Sequence, residues 1–167
     1  LEVGDKDVAL LTDLLADLGA HALLTALTQL EAGCIRWTRQ EEEHVTYAEK
    51  IGKDELSLSP ADTVEQACRK VRASSAAHPA HATIAGKNVT VLAVRPAPAD
   101  QADAVCAGMG PGSVRFVAKR LYLGAADGVI ELMEVKPAGK AAMAAKAFAA
   151  GIQGIKEDTK TWEGPRG

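Results

Sequence analysis

Apolar residues recur every three or four positions over residues 5–32, and nine of them are leucines. Leu10, Leu14 and Leu18 show the spacing, which predicts an amphipathic helix. Gly33 follows at the position where helices commonly end. A helix this apolar needs a partner surface in water. We therefore expect residues 1–33 to be the terminal helix of a missing upstream domain, and an isolated fragment to cover the stripe by oligomerisation or to keep this helix flexible.

Residues 34–58 lack apolar periodicity and carry three consecutive glutamates, so they are predicted to form a linker. A second helix is predicted to begin after Ser59 and to end near Ser74. Ser59 is a suitable N-cap, Pro60 suits the first turn, and Asp62 has capping-box spacing. Its apolar stripe comprises Val64, Ala67, Cys68 and Val71.

From about residue 81 the apolar runs shorten to the length of strands. Glycine-rich turn signals separate them at Gly86-Lys87, at Gly110-Pro111-Gly112 and at Ala126-Asp127-Gly128, with a loop over 96–103. Strands are predicted at 82–85, 88–94, around Val105, at 114–118, 120–123 and 129–135. This order predicts a mainly β fold with helices: a small OB-like β-barrel with one packed helix, preceded by the long N-terminal helix and the linker.

Composition adds limits on compartment and on membrane association. Hydrophobic residues make up 47% of the 167 residues, which is ordinary for a globular core, and only six are aromatic. No transmembrane run or signal peptide is expected. The three cysteines are far apart without metal-ligand spacing, which favours a reducing, cytoplasmic location. The chain starts at Leu1 instead of Met, so we expect it to be part of a longer protein.

Charge is distributed unevenly although the net value is only −3. Residues 1–45 hold nine acidic and three basic residues, whereas residues 46–156 hold ten acidic and fourteen basic ones. A basic central part beside an acidic arm is compatible with binding to phosphates. Ordinary solubility charge is the alternative.

Candidates for catalysis or metal binding are weak. His78 and His81 have no third ligand nearby in sequence, so a solvated loop is favoured over a metal site. Cys106 lies in an apolar context without a neighbouring base, which indicates an inert thiol. The glycines of residues 108–112 are not followed by the Lys-Ser/Thr pair of a phosphate-binding loop, and a turn between strands is predicted instead.

Several segments together resemble methionyl-tRNA formyltransferases. Thr46-Tyr47-Ala48-Glu49-Lys50-Ile51 is similar to the motif that crosses from the catalytic to the C-terminal domain in that family. Val71-Arg72-Ala73 resembles the family's I-R-A, and Gly110-Pro111-Gly112 resembles its G-x-P-G turn. Pro137-Ala138-Gly139-Lys140, followed by an Ala-rich helix that ends at Gly151, resembles its Q-P-E-G-K corner and final helix.

The resemblance implies a domain order and a function. Residues 1–33 would end the catalytic domain, 34–58 would be the linker, 59–155 the OB-like tRNA-binding domain and 156–167 a tail. The whole enzyme would transfer a formyl group from 10-formyltetrahydrofolate to the amine of initiator methionyl-tRNA, with no cofactor bound in this segment. Contact with tRNA phosphates would come from exposed cations: Lys50, Arg72, Lys87, Arg115, Lys119, Arg120, Lys136 and Lys140.

Two segments differ from the family pattern, and the family's catalytic segment has no counterpart. Leu56-Ser57-Leu58-Ser59 stands where the family has I-D-W-S, and residues 74–81 replace a P-x-P-G-A stretch. The family's catalytic Asn, His and Asp belong to an N-terminal domain whose H-x-S-L-L-P-like segment has no counterpart here, so this segment alone is expected to be inactive. The alternative function is a structural or interaction domain of another formyltransferase-like protein that binds no nucleic acid.

Overall fold

A computed structural model describes residues 1–52, 54–98 and 107–165, and the chain divides into two compact units, residues 1–51 and 52–167. The first unit contains helix α1, Val8–Glu31. The carboxylate of Asp7 caps its start by accepting a hydrogen bond from the Leu10 N–H, and Gly33 beyond its end has a φ of 66°. The predicted helix is therefore confirmed, with both ends set by local capping.

By length and composition, α1 is able to cross a membrane. It has 24 residues, and its most apolar stretch has a mean hydropathy of 1.4. The expectation that no segment approaches a transmembrane run is therefore wrong for α1. These criteria do not single out membrane helices, because a core helix of a soluble protein also satisfies them. None of its residues is buried, so its leucines present an apolar surface suited to another protein surface or to lipid.

The second unit begins with helix α2, Val64–Ala73, which packs on the sheet through Ala67, Cys68 and Val71. It starts four residues later than predicted, because Thr63 is the N-cap and forms a capping box with Gln66. Ser59 and Asp62 instead close a turn before the helix. The predicted apolar stripe is correct.

Seven described strands form one antiparallel sheet. In chain order they are β1 His81–Ile84, β2 Lys87–Pro96, β3 Val114–Val117, β4 Arg120–Gly124, β5 Val129–Pro137, β6 Met143–Ala144 and β7 Trp162–Glu163. The order in the sheet is β3-β4-β5-β2-β1-β7, and β6 pairs with β5. Helix α3, Ala145–Ala150, follows β6 directly. The strand predicted around Val105 lies outside the described residues.

The sheet nearly closes into a barrel through its C-terminal segment. β7 pairs with β1, and a bridge between Thr161 and Ser113 joins the same segment to the start of β3. Trp162 and Ile155 are buried in the core. Within the tail predicted for residues 156–167, Thr161 bridges to Ser113 and Trp162–Glu163 form β7, which the buried Trp162 side chain anchors. The mainly β, OB-like fold class is confirmed.

Two-residue turns connect two of the hairpins. Ile84 pairs with Lys87 around Ala85-Gly86, and Val117 pairs with Arg120 around Ala118-Lys119. All four turn residues have φ between 49° and 75°, the left-handed region that glycine adopts most easily. Ala118 and Lys119 therefore hold a conformation that is costly for residues with a Cβ atom.

Candidate nucleic-acid interface

Arg115 and Arg120 form ion pairs with carboxylates, which makes their side chains less available for binding phosphate. The Arg115 Nε donates to Asp158 Oδ2 at 3.0 Å, and its Nη1 donates to the Ala107 carbonyl. Glu131 is buried in β5 and lies between two arginines, with Oε2 2.9 Å from the Arg95 Nε and Oε1 3.6 Å from the Arg120 Nε. These pairs neutralise local charge and connect β2, β4 and β5.

Arg115 and Lys119 lie in different parts of the β3–β4 hairpin. Arg115 lies in β3, whereas Lys119 lies in the following left-handed turn, where strand parity no longer applies. Lys119 is exposed at this turn.

Three of the predicted cations lie near the corner that follows β5. Lys136 pairs with Thr90 at the end of the β2–β5 ladder, and Lys140 lies just beyond the corner. The Lys87 Nζ donates to the Gly151 carbonyl at 3.1 Å, which draws it toward the end of α3. Lys87 and Lys140 both line a cavity of about 390 Å³, and Lys136 lines an adjacent one of about 330 Å³ that shares Pro137 and Ala138.

A larger cavity of about 710 Å³ also adjoins α3. Its rim carries Lys119 and two lysines outside the predicted set of phosphate-binding cations, Lys146 and Lys156. Ala147 on α3 lines both this cavity and the one beside Lys140. The signal that could have found Lys146 is its place in the Ala-rich helix, where it is the one charged side chain.

The cavity linings place six lysines around α3 and the neighbouring corner, and we call this set the lysine surface. Its members are Lys87, Lys119, Lys136, Lys140, Lys146 and Lys156. Among the described residues that line the three cavities, Glu157 is the one acidic side chain. Phosphate binding needs this excess of flexible, exposed positive charge.

The other two predicted cations lie elsewhere. Arg72 is half-buried near the end of α2, and Lys50 is exposed in the first unit. Of the eight selected cations, the structure therefore brings Lys87, Lys119, Lys136 and Lys140 onto the lysine surface. It places Arg115 and Arg120 in ion pairs.

The two histidines considered as metal ligands differ in their surroundings. His78 is exposed, and His81 lies in β1 with its ring Nδ1 3.3 Å from the Thr90 hydroxyl, so it is not in a loop. No group of three or more His, Cys, Asp or Glu side chains within the described ranges could hold a metal ion. Cys106 lies outside those ranges.

Comparison with known proteins decides the family. The sequence pattern of the family described as formyl transferase, C-terminal domain, matches residues 50–153, more than half of the chain. The chain belongs to this family. The formyl transferase C-terminal domain thus comprises α2, the strands from β1 to β6, and α3, with the lysine surface except Lys156 inside the match.

Two curated relatives carry the same name. A methionyl-tRNA formyltransferase of Methylococcus capsulatus is 37% identical over 150 residues, which cover 87% of this chain and 46% of that protein. A methionyl-tRNA formyltransferase of Halorhodospira halophila is 34% identical over 138 residues, which cover 81% of this chain and 42% of that protein. The chain therefore spans slightly less than half the length of these relatives.

Solved structures with the same fold include HypX from Aquifex aeolicus. A variant of that protein matches 95% of this chain with a TM-score of 0.69 at 19% identity, over 28% of its own length. HypX in complex with tetrahydrofolic acid matches 83% of this chain with a TM-score of 0.59 at 21% identity, over 24% of its length. At these identities the likeness establishes the fold of the formyl transferase C-terminal domain alone.

Proposed function

We propose that this chain is the tRNA-binding part of a methionyl-tRNA formyltransferase. The observation that carries the proposal is the lysine surface on a domain of the formyl transferase C-terminal family. Two curated relatives named methionyl-tRNA formyltransferase support it. The whole enzyme, acting in the cytoplasm, transfers a formyl group from 10-formyltetrahydrofolate to the amine of initiator methionyl-tRNA.

The lysine surface contributes by holding the RNA backbone. Lysine ammonium groups attract phosphates without reading bases, and helical RNA is recognised mainly by shape and backbone contacts. Anchoring the tRNA at a distance keeps its aminoacyl end near the catalytic domain, which raises the effective concentration of the reacting amine. The segment itself then needs neither catalytic residues nor a bound cofactor.

Residues 1–33 are proposed to be the last helix of the catalytic domain, joined by residues 34–58 to the tRNA-binding domain. The apolar face of α1 supports this, because its leucines need a surface to cover them. Leu56 and Leu58 are buried, so the end of the linker contributes side chains to the barrel core. In this chain alone, α1 is expected to be covered by oligomerisation or to remain flexible.

The experiment measures tRNA affinity of the chain as a function of salt. Changing Lys87, Lys136 and Lys140 to glutamine should lower affinity about equally for initiator and elongator tRNA. The log–log salt slope should become shallower by up to about 0.9 for each phosphate that these lysines no longer neutralise.

A charge-matched control changes Lys6, Arg36 and Arg39 to glutamine, all three in the acidic first unit. It removes the same three charges and should leave the slope unchanged. Absence of tRNA binding by the unaltered chain at low salt would instead favour the alternative, a barrel that only supports a neighbouring domain.

A further inference from the structure

The 710 Å³ cavity beside α3 has the size and the chemistry of a ligand site. We call it the Phe116 cavity. It is bounded by Phe116 on β3, by Lys119 in the β3–β4 turn, by α3, and by the segment from Ile152 to Glu157. Two separate stretches of the chain, residues 116–119 and 146–157, therefore meet at the cavity, which makes it a product of the tertiary fold.

The floor of the Phe116 cavity is apolar and includes an aromatic ring. Ile152 and Ile155 are buried in the core, with Ala147 and Ala150 beside them. Phe116 is only partly buried, although it packs against the same core. A partly open ring over an aliphatic floor is a suitable surface for stacking a planar group.

The rim of the cavity is cationic. The side-chain ammonium groups of Lys119, Lys146 and Lys156 have no hydrogen-bond or ion-pair partner within the part of the chain that the structure describes. This contrasts with Lys70, whose Nζ lies 2.7 Å from Asp62 Oδ1. Three ammonium groups and a single carboxylate, that of Glu157, line this apolar cavity, and the excess of positive charge favours an anion that also carries an apolar or aromatic body.

The backbone conformation of Lys119 is also relevant to the cavity. Its φ of 62° lies in the left-handed region, where glycine or asparagine would be less strained. The two-residue turn between β3 and β4 requires this conformation at both of its residues, so it fixes Lys119 at the tip of the turn. The turn thereby places the Lys119 side chain on the rim of the cavity.

Glu157 supplies a hydrogen-bond acceptor among these cations. It lines the cavity, and its Oε2 approaches the backbone at Gly154 closely enough to meet an added Cβ atom at 3.2 Å. A carboxylate accepts from the exocyclic amino groups of cytosine and adenine, whereas uracil presents no such amino group. The cavity therefore combines a stacking surface, phosphate ligands and an acceptor for amino-bearing bases.

We propose that the Phe116 cavity binds one unpaired nucleotide, with its base on Phe116 and its phosphates at Lys119, Lys146 and Lys156. Bases that carry an exocyclic amino group are preferred through Glu157. This proposal goes beyond anchoring of the RNA backbone, because it requires an unstacked base. It rests on the proposed function in one respect, namely that the nucleotide belongs to a tRNA. A free nucleotide presents the same chemistry.

The test compares binding of hexacytidylate, hexauridylate and cytidine monophosphate to the full chain by NMR or fluorescence anisotropy. Phe116→Leu keeps an apolar side chain of similar volume and removes the ring. It should weaken hexacytidylate binding by up to about 5- to 160-fold, the range expected for removing the stacking of one base. Glu157→Gln should reduce the preference for cytosine over uracil.

Two further variants separate charge from backbone strain. Lys119→Asn tolerates the left-handed turn and removes the charge, so it should weaken binding and flatten its salt dependence. Lys119→Gly should also weaken binding and flatten its salt dependence. In addition it should raise the melting temperature by about a few degrees, because glycine relieves the strain of the left-handed backbone conformation. Val117→Thr, at an exposed neighbouring position of β3, is the control and should leave binding unchanged.

The outcomes are distinct from those of the tRNA experiment. Equal hexacytidylate affinity of Phe116→Leu and the unaltered chain, with both folded, overturns the nucleotide site while leaving backbone anchoring intact. Loss of salt-dependent tRNA binding with retained, Phe116-dependent cytidine monophosphate binding would leave the cavity as a site for free nucleotides. Binding of the hexamer without the monophosphate identifies an unpaired strand as the source.

Discussion

Replacing Gly124 with alanine should strongly destabilise the barrel. Gly124 is the last residue of β4, and a Cβ atom there would lie 2.0 Å from the Gly110 carbonyl oxygen and 2.6 Å from the Ser113 hydroxyl. Ordinary contacts between a carbon and a carbonyl oxygen are about 3.3–3.6 Å. The two backbone segments would have to separate by more than about 1 Å.

That separation acts on three hydrogen bonds at one point. Gly124 donates to the Ser113 carbonyl at 2.9 Å, and its own carbonyl accepts from the Gly112 N–H at 3.0 Å and from the Trp162 indole at 2.9 Å. A net contribution of about 0.5–1.5 kcal/mol for each gives a destabilisation of about 1.5–4.5 kcal/mol when all three are disrupted. Displacement of the buried Trp162 side chain would add to it.

Urea unfolding followed by tryptophan fluorescence measures this destabilisation, because Trp162 is 2% exposed whereas Trp37 is 84% exposed. The midpoint should fall by about 1–2 M with little change in slope. Gly151→Ala is the matched control: its nearest contact would be an ordinary 3.5 Å, so stability should change by less than about 0.5 kcal/mol. Equal midpoints for Gly124→Ala and the unaltered chain would refute the steric reasoning.

Two further changes test the ion triad and the helix cap. Glu131→Gln leaves two arginines without their buried counter-charge, and because both are partly exposed and can be solvated we expect a destabilisation of about 1–3 kcal/mol. Glu65→Gln, which removes an exposed pair, should change stability by less than about 1 kcal/mol. Thr63→Ala removes the acceptor of the Gln66 N–H and should cost about 0.5–2 kcal/mol in thermal or urea unfolding. Ser59→Ala should cost clearly less, and a larger effect there than at Thr63 would contradict the assigned helix start.

Local signals were sufficient for most elements of the fold. The leucine spacing of α1, the glycine turns and the alternating strand of β5 act over short distances, so the sequence pattern reveals them. The start of α2 was missed because Ser59 and Thr63 both have capping-box spacing. Asp127, 63 residues away from Val64, accepts a hydrogen bond from the Val64 N–H at 2.7 Å and so satisfies one of the first helical donors beside Thr63. No local pattern contains that interaction.

The candidate site depended more strongly on tertiary structure. Cations near the corner could be selected because the corner itself is a local motif. Lys146 and Lys156 join Lys119 only after α3 and the following segment fold against β3. Conversely, nothing in the local sequence shows that Glu131 lies between two arginines. The number of charged residues can be read from the sequence, but which of them form ion pairs depends on how the strands pack together.

The position of β7 has a consequence for synthesis on the ribosome. Thr83 of β1 pairs with Glu163 of β7, which is synthesised 80 residues later. β1 therefore lacks this neighbouring strand until the end of the chain has been made. Until then, the side of β1 that receives β7 is an open edge able to pair with another chain. Pairing over such a sequence separation is slow relative to local hairpins. We expect nascent chains that stop before Trp162 to be recognised as unfinished and bound by chaperones or degraded.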